Sequence, residues 1–233
     1  MIIGRGLIAN GFKSYEHETK VLIFASGVSN SNENSELAFE KEKKLLLQVK
    51  ELNNLDDDYL LVYFSTTSLL DVSQLNNHYV NHKKNMEKLV KEFDNFIIFR
   101  LPQIVGRSNN PNTLVNFLYK KVLSEERFDL WMNAKRDIID IEDTFKICRQ
   151  IIEEGNSLNK IINIGTGVDN SIKSIVKCIE RLTGKKALYQ EKNLGGTFKC
   201  DLTLSTETAE KISLNFKDDY LSKTLKKYYI GSN

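Results

Sequence analysis

The sequence predicts an α/β fold, a parallel sheet with helices on both faces, and two observations predict it. Short β-prone runs alternate along the chain with stretches whose apolar residues recur at helical spacing. The runs are continuously apolar rather than alternating, which is the pattern of strands buried on both faces.

The elements follow in order. Residues 1–4 read as a short strand, 7–14 as a helix and 20–25 (KVLIFA) as a second strand. Residues 36–52 carry leucines at helical spacing among many Glu and Lys, an amphipathic helix. Residues 59–65 (YLLVYFS) form a third strand, 77–93 a helix, 95–100 (NFIIFR) a fourth strand and 160–164 (KIINI) a fifth. Over residues 107–138, and again after Thr183, the alternation breaks down, and these parts read as a small lobe over the C-terminal edge of the sheet. Pro102 and Pro111 sit where the chain leaves the fourth strand. Ligands in open α/β sheets bind at that edge.

Composition narrows the function. The 233 residues include 33 Lys and Arg against 31 Asp and Glu, a formal charge of +2, which argues against nucleic-acid binding by overall charge. Hydrophobic residues at 41% and charged residues at 27% belong to a folded protein whose core needs no disulfide staples. The opening Met1-Ile2-Ile3-Gly4 lacks the basic stretch of a secretory signal, and the longest apolar run, 60–64, is too short to cross a bilayer. Cys148, Cys178 and Cys200 have no CxxC spacing, and His17, His78 and His82 form no ligand pattern with them. The expectation is a cytoplasmic protein with reduced thiols, no metal and no membrane segment.

Three motifs carry chemistry. Gly4-Arg5-Gly6-Leu7-Ile8-Ala9 is GxGxxA between a strand and a helix. Such glycines let backbone N–H groups approach a pyrophosphate, with Arg5 a candidate phosphate partner; the same pattern also serves a tight turn that packs a helix on a strand. Tyr79 and Lys83 form YxxxK, which on a helix places both side chains on one face. An ammonium there lowers a phenol's pKa from about 10, making Tyr79 an acid for ketone reduction or a base for alcohol oxidation. Chance pairing on a lysine-rich helix gives the same spacing. Ser65-Thr66-Thr67-Ser68 follows the third strand, where hydroxyls can bond a substrate oxygen or cap a turn.

In this order, the motifs resemble the extended short-chain dehydrogenase/reductases, in their NAD-dependent epimerase/dehydratase branch that modifies nucleotide-sugars. Phe24-Ala25-Ser26-Gly27 is similar to that family's segment passing the cofactor. Arg100-Leu101-Pro102-Gln103-Ile104-Val105-Gly106 is similar to its RLxxxxG segment, residues 136–143 (RDIIDIED) to its RDfixVxD segment, and residues 163–167 (NIGTG) with Ser171 to its NIGsG…S stretch. The resemblance implies a Rossmann-like core of residues 1–106 with 138–165, and a substrate lobe of 107–137 and 166–233. It implies Thr66, Tyr79 and Lys83 as catalytic residues. It implies NAD or NADP held by Gly4, Arg5, Gly6, Leu7, Ile8, Ala25, Ser26, Gly27, Lys83 and Pro102. It implies a nucleotide-sugar held by Thr67, Gln103, Asn110, Asn112 and Arg136, and a homodimer packed through helices 36–52 and 77–93.

The chain also departs from the family. Two strands normally lie between the glycine turn and the Phe24 segment, one ending in an acidic ribose ligand about 20 residues after the turn. Between Ala9 and Val21 there is room for one helix and a turn. The sheet is therefore expected to be truncated to about five parallel strands, with the first at an edge and the adenosine pocket incomplete. The step from Thr66 to Tyr79 is short, and Thr67 and Ser68 stand where the dehydratases carry Asp-Glu. These departures favour an NAD(P)-dependent keto-reductase of nucleotide-sugars, in surface polysaccharide or deoxysugar biosynthesis. The alternatives are an epimerase with bound NAD, or a non-catalytic nucleotide-sugar-binding relative that has lost its cofactor.

Overall fold

The structure is a computed structural model and describes residues 1–51, 58–108, 110–217 and 219–230. Its elements run β1 (Ile2–Ile3), α1 (Leu7–Gly11), β2 (Val21–Phe24), α2 (Glu36–Gln48), β3 (Leu60–Thr66), α3 (His78–Val90), β4 (Phe96–Leu101), β5 (Gln103–Val105) and α4 (Leu114–Leu123). They continue β6 (Phe128–Trp131), β7 (Lys135–Asp140), α5 (Ile141–Glu154), β8 (Lys160–Asn163), β9 (Asp169–Ser171), α6 (Ile172–Thr183), β10 (Tyr189–Lys192), α7 (Thr203–Lys211) and α8 (Tyr220–Tyr229).

Five strands form one parallel sheet in the order β1-β2-β3-β4-β8. The truncation read from the Ala9–Val21 gap is present, with β1 at the edge. In β3 successive side chains point to opposite faces. Val62 and Phe64 join Phe12, Ile23, Phe99, Ile147 and Ile151 in one cluster. Leu61 and Tyr63 join Phe24, Leu46, Met86, Val90 and Ile98 in another. The first cluster is covered by α1, α5 and α7, the second by α2 and α3.

Local chemistry sets the helix starts. Ser35 Oγ accepts from the Ala38 N–H at the start of α2, Asn77 Oδ1 from the Val80 N–H at α3, and Asp140 Oδ1 from the Glu142 N–H at α5. Each satisfies one of the donors a helix leaves open at its first turn. Helix α2 ends at Gln48 and passes into a 3₁₀ turn, Val49–Glu51, short of the expected end; Leu52 lies outside the described residues.

A third cluster, with Val115, Leu118, Phe128, Leu130, Ile175, Val176 and Leu225, joins α4, β6, α6 and α8. Here β6 pairs in parallel with β10, and β7 lies between β5 and β9. Helix α8 docks by polar contacts: Lys227 Nζ is 2.9 Å from Asp140 Oδ2, and the Tyr228 hydroxyl donates to Asp140 Oδ1 at 2.7 Å. Among the described residues no helix is long and apolar enough to cross a membrane.

Candidate active site

The site is built at the C-terminal ends of β1, β2, β3 and β4. Gly4 leaves β1 at φ +133°, and a Cβ there would meet the Ala25 carbonyl oxygen at 2.5 Å. Only glycine combines that dihedral with that approach. A Cβ on Gly6 would meet nothing within 4 Å, and Arg5 and Gly6 are exposed. The glycine turn thus packs β1 against the Ala25–Ser26 backbone and leaves its outer side open.

The helix after this turn is shorter than the sequence suggests. It ends at Gly11 and is followed by a 3₁₀ turn, Lys13–Tyr15, instead of running over 7–14. The cause is packing. A Cβ on Gly11 would stand 1.9 Å from the Phe145 ring of α5, and Phe12 turns fully into the core. Ile8 packs on that same core, and Leu7 reaches the Gly106 backbone.

Beyond the turn, Ala25, Ser26 and Gly27 continue past β2, with the Ala25 N–H bonded to the Ile3 carbonyl at 2.7 Å. A Cβ on Gly27 would lie 2.7 Å from Lys83 Nζ and 2.9 Å from Glu42 Oε1. The segment therefore runs directly against the YxxxK helix.

Thr66 ends β3, and its Oγ1 accepts from the Ser68 N–H at 3.1 Å. The Tyr79 phenol, in the first turn of α3, is within hydrogen-bonding reach of Thr66. Thr66, Tyr79 and Lys83 are all buried. Lys83 Nζ lies 6.0 Å from the Tyr79 ring centroid. The three groups that the sequence singles out are thus brought together.

Their electrostatics differ from expectation. The Lys83 ammonium donates to Glu42 Oε1 at 2.9 Å and to the Tyr63 oxygen at 3.0 Å. Burial pushes the Tyr79 phenol well above its ordinary pKa; the Thr66 hydrogen bond works against this and the Glu42 charge adds to it. The direction is opposite to the lowering expected from Lys83, because burial dominates, and the ammonium itself is paired with Glu42. Glu42 also accepts from the Tyr63 hydroxyl at 2.7 Å and the Val28 N–H at 2.7 Å, and His82 Nε2 stands 2.8 Å from its Oε2. Burial alone would raise the Glu42 pKa. Lys83, then His82, Val28 and Tyr63, outweigh it and hold the carboxyl down at about 2. His82 stacks on Phe39, with ring centroids 4.5 Å apart.

A cavity of about 270 Å³ is lined by Thr67 and Ser68, which follow Thr66, and by Pro102, Gln103, Arg136, Asp137 and Cys200 among others; Thr66, Tyr79 and Lys83 are not in its wall. Arg136 donates to the Gly196 carbonyl at 3.1 Å and lies 3.6 Å from Asp71. Burial raises the Asp137 carboxyl, which accepts from the Thr166 hydroxyl at 2.6 Å and the Thr166 and Gly167 N–H groups at 2.8 and 3.0 Å. The cavity wall thus includes four of the residues named from the sequence: Thr67, Pro102, Gln103 and Arg136.

Asn110 and Asn112 are not among the residues that line this cavity. Asn110 Nδ2 donates to Ser29 Oγ, on the segment that follows Gly27, at 3.4 Å, and its Oδ1 accepts from the Asn112 N–H within its own loop. The sequence reading missed Glu42, Lys135, Lys199 and Cys200. Glu42 carries no signal in a helix full of Glu and Lys. Lys135, next to the singled-out Arg136, was the one with a clue.

The sequence model of the NAD dependent epimerase/dehydratase family matches residues 63–165. That segment runs from β3 through Thr66, Tyr79, Lys83 and Arg136 to the end of the β8 loop, so the resemblance read from the motifs is borne out there. No curated protein matches the sequence. Among solved structures, the UDP-glucose 4-epimerase of Thermus thermophilus, in complex with NAD, superposes with a TM-score of 0.70 at 15% identity, over 98% of this chain and 84% of that one. The UDP-glucuronic acid 4-epimerase of Bacillus cereus, with UDP-glucuronic acid and NAD, gives 0.65 at 18% identity, over 94% and 77%. RMD of Pseudomonas aeruginosa, complexed with NADPH, gives 0.68 at 11% identity, over 90% and 80%. At these identities the likeness is one of fold.

Proposed function

We propose that this chain is an NAD(P)-dependent oxidoreductase of the short-chain dehydrogenase type that reduces a ketone on a nucleotide-linked sugar, in surface polysaccharide or deoxysugar biosynthesis. The observation that carries the proposal is the meeting of Thr66, Tyr79 and Lys83 beside Gly27 at the C-terminal edge of a parallel sheet. The family match over residues 63–165 and the NAD- and NADPH-bound structures of like fold support it.

The residues fit such a cofactor on one side. The Gly4 turn, admissible only without a Cβ, and the open face of Gly6 suit a pyrophosphate close to backbone. Gly27, against Lys83, suits a ribose within reach of the ammonium. Among the described residues β1 is the sheet edge, and no strand beyond it brings an acidic residue to the adenosine ribose. We therefore expect the cofactor to be held mainly through Gly4, Arg5, Gly6, Ala25, Ser26, Gly27 and Lys83. When bound, it supplies hydride to the carbonyl carbon.

The protein's own groups do the rest. Thr66 and Tyr79 hydroxyls bind the sugar carbonyl oxygen, and Tyr79 hands it a proton as negative charge develops there. The Arg136 guanidinium, mostly buried at the cavity wall, binds the diphosphate. Thr67 and Gln103 line the cavity that holds the sugar. Most of the rate comes from holding the reacting groups in place.

The test is loss of reduced-nicotinamide absorbance when NADH or NADPH meets a panel of keto nucleotide-sugars. Turnover with at least one of them supports the proposal. Binding of neither cofactor, with or without a nucleotide-sugar, removes it and leaves the non-catalytic reading. The 4-epimerases of like fold favour an epimerase as the second reading. Stoichiometric NAD in protein as purified, with no net reduction, selects that one.

A further inference from the structure

Glu42 belongs to no motif, yet its surroundings single it out. It lies on a helix whose other acidic residues, Glu36 and Glu40, are exposed, while its own side chain is 2% exposed. All its partners belong to the reaction side of the sheet: Lys83 and His82 from α3, Tyr63 from β3 and the Val28 N–H after β2. Gly27 has no room for a Cβ because the Lys83 ammonium and the Glu42 carboxylate fill that space.

We propose that Glu42 is a positioning residue of this site: by binding the Lys83 ammonium it removes that positive charge from the Tyr79 phenol, so that Tyr79 stays protonated and acts as a proton donor. The inference rests on Tyr79 being the proton-transfer group of the proposed reaction. It adds a direction, since a phenol kept protonated serves ketone reduction and not the abstraction of a proton from an alcohol.

The groups facing Tyr79 account for the effect. A bare ammonium within about 4–6 Å of an acidic group lowers its pKa by about 1–3. Lys83 Nζ lies 6.0 Å from the Tyr79 ring centroid, and its charge is paired with Glu42 at 2.9 Å. From α2 the charged neighbour is Glu42. From β3 come Thr66 and Tyr63, whose proton is directed at Glu42. On α3, His82 is turned to Glu42, and Glu87 is held by Arg100 of β4 through two bonds of 2.8 and 2.6 Å. Each charge around the phenol has a partner of opposite sign. What then decides its protonation is burial, which favours the neutral form.

The experiment is an ultraviolet titration of tyrosinate, with the Tyr79→Phe protein subtracted to isolate Tyr79, in wild type and in Glu42→Gln. In wild type Tyr79 is expected to stay un-ionised through the ordinary tyrosine range at about pH 10. In Glu42→Gln, where the ammonium is no longer cancelled, its onset is expected to fall by about one pH unit or more. Ionisation of wild-type Tyr79 below about pH 10, or an unchanged onset in Glu42→Gln, overturns the proposal. A purely structural Glu42 would change the melting temperature and leave the onset where it was. Should Glu42→Gln not fold, a wild-type onset below about pH 10 still overturns the proposal. Both titrations need neither substrate nor cofactor. A protein that reduces no nucleotide-sugar but titrates as stated loses the proposed function and keeps Glu42 in this role.

Discussion

Replacing Lys83 with methionine removes one charge from a buried pair and leaves the other without compensation. Lys83 and Glu42 side chains are 3% and 2% exposed, so the remaining carboxylate has almost no water. Breaking such a pair costs about 3–5 kcal/mol. A figure of the same order comes from Glu42, where Lys83 is the largest of the partners that lower the pKa. Its carboxyl titrates at about 2 in the fold against 4.5 ordinarily, an interval worth about 3 kcal/mol. The folded pKa is the lower one, so this stability is complete above about pH 4.5 and is lost as pH falls toward about 2. At about 2–4 °C per kcal/mol for a chain of this size, Lys83→Met should melt about 10 °C below wild type near neutral pH. The deficit should shrink on acidification, because wild type loses the part of the Glu42 contribution that Lys83 supplies and the variant lacks. Adding Glu42→Gln to Lys83→Met should recover part of the loss. Melting curves and denaturant titrations of the three proteins across pH give these quantities. A Lys83→Met protein within about 1 kcal/mol of wild type near neutral pH would refute the reasoning, since it would mean the pair is solvated or unformed.

Three other outcomes follow from the same geometry. Gly11→Ala should lower stability by about 1–3 kcal/mol, because the new methyl collides with the Phe145 ring rather than with a mobile chain end; a melting curve reads it. Arg136→Met should raise the KM for a nucleotide-sugar about tenfold or more, the worth of a charge-assisted bond, with a smaller effect on kcat in steady-state kinetics. Cys200 lines the cavity and burial pushes its thiol up to about 11, so a disulfide reagent at about pH 8 should modify it slowly, with about one thiol in a thousand ionised, and more slowly still under a nucleotide-sugar.

The sheet was legible because its signals are local or countable. Continuous apolar runs marked all five strands, and the short stretch from Ala9 to Val21 implied that β1 would stand at the edge, as it does. Thr66, Tyr79 and Lys83 were legible because spacing on one helix and a strand end fixes their meeting. The pairing of β6 with β10 was not, since the two strands lie far apart in the chain and neither is long or strongly apolar. The early end of α1 depends on Phe145, which a local reading cannot place beside Gly11. Glu42 was invisible for the same reason: within EKEKK it reads as one more solvated charge, and only the packing of α2 on α3 sets it against Lys83. A YxxxK spacing therefore locates the ammonium but does not say what its charge acts on.

The most direct test of the account is turnover by Tyr79→Phe compared with wild type, at saturating NADH or NADPH and keto nucleotide-sugar, with binding of both measured in parallel. The account predicts a fall in kcat of about 10²–10⁴-fold with binding and melting temperature nearly unchanged, since only the proton donor is removed. Equal turnover by the two proteins would contradict it.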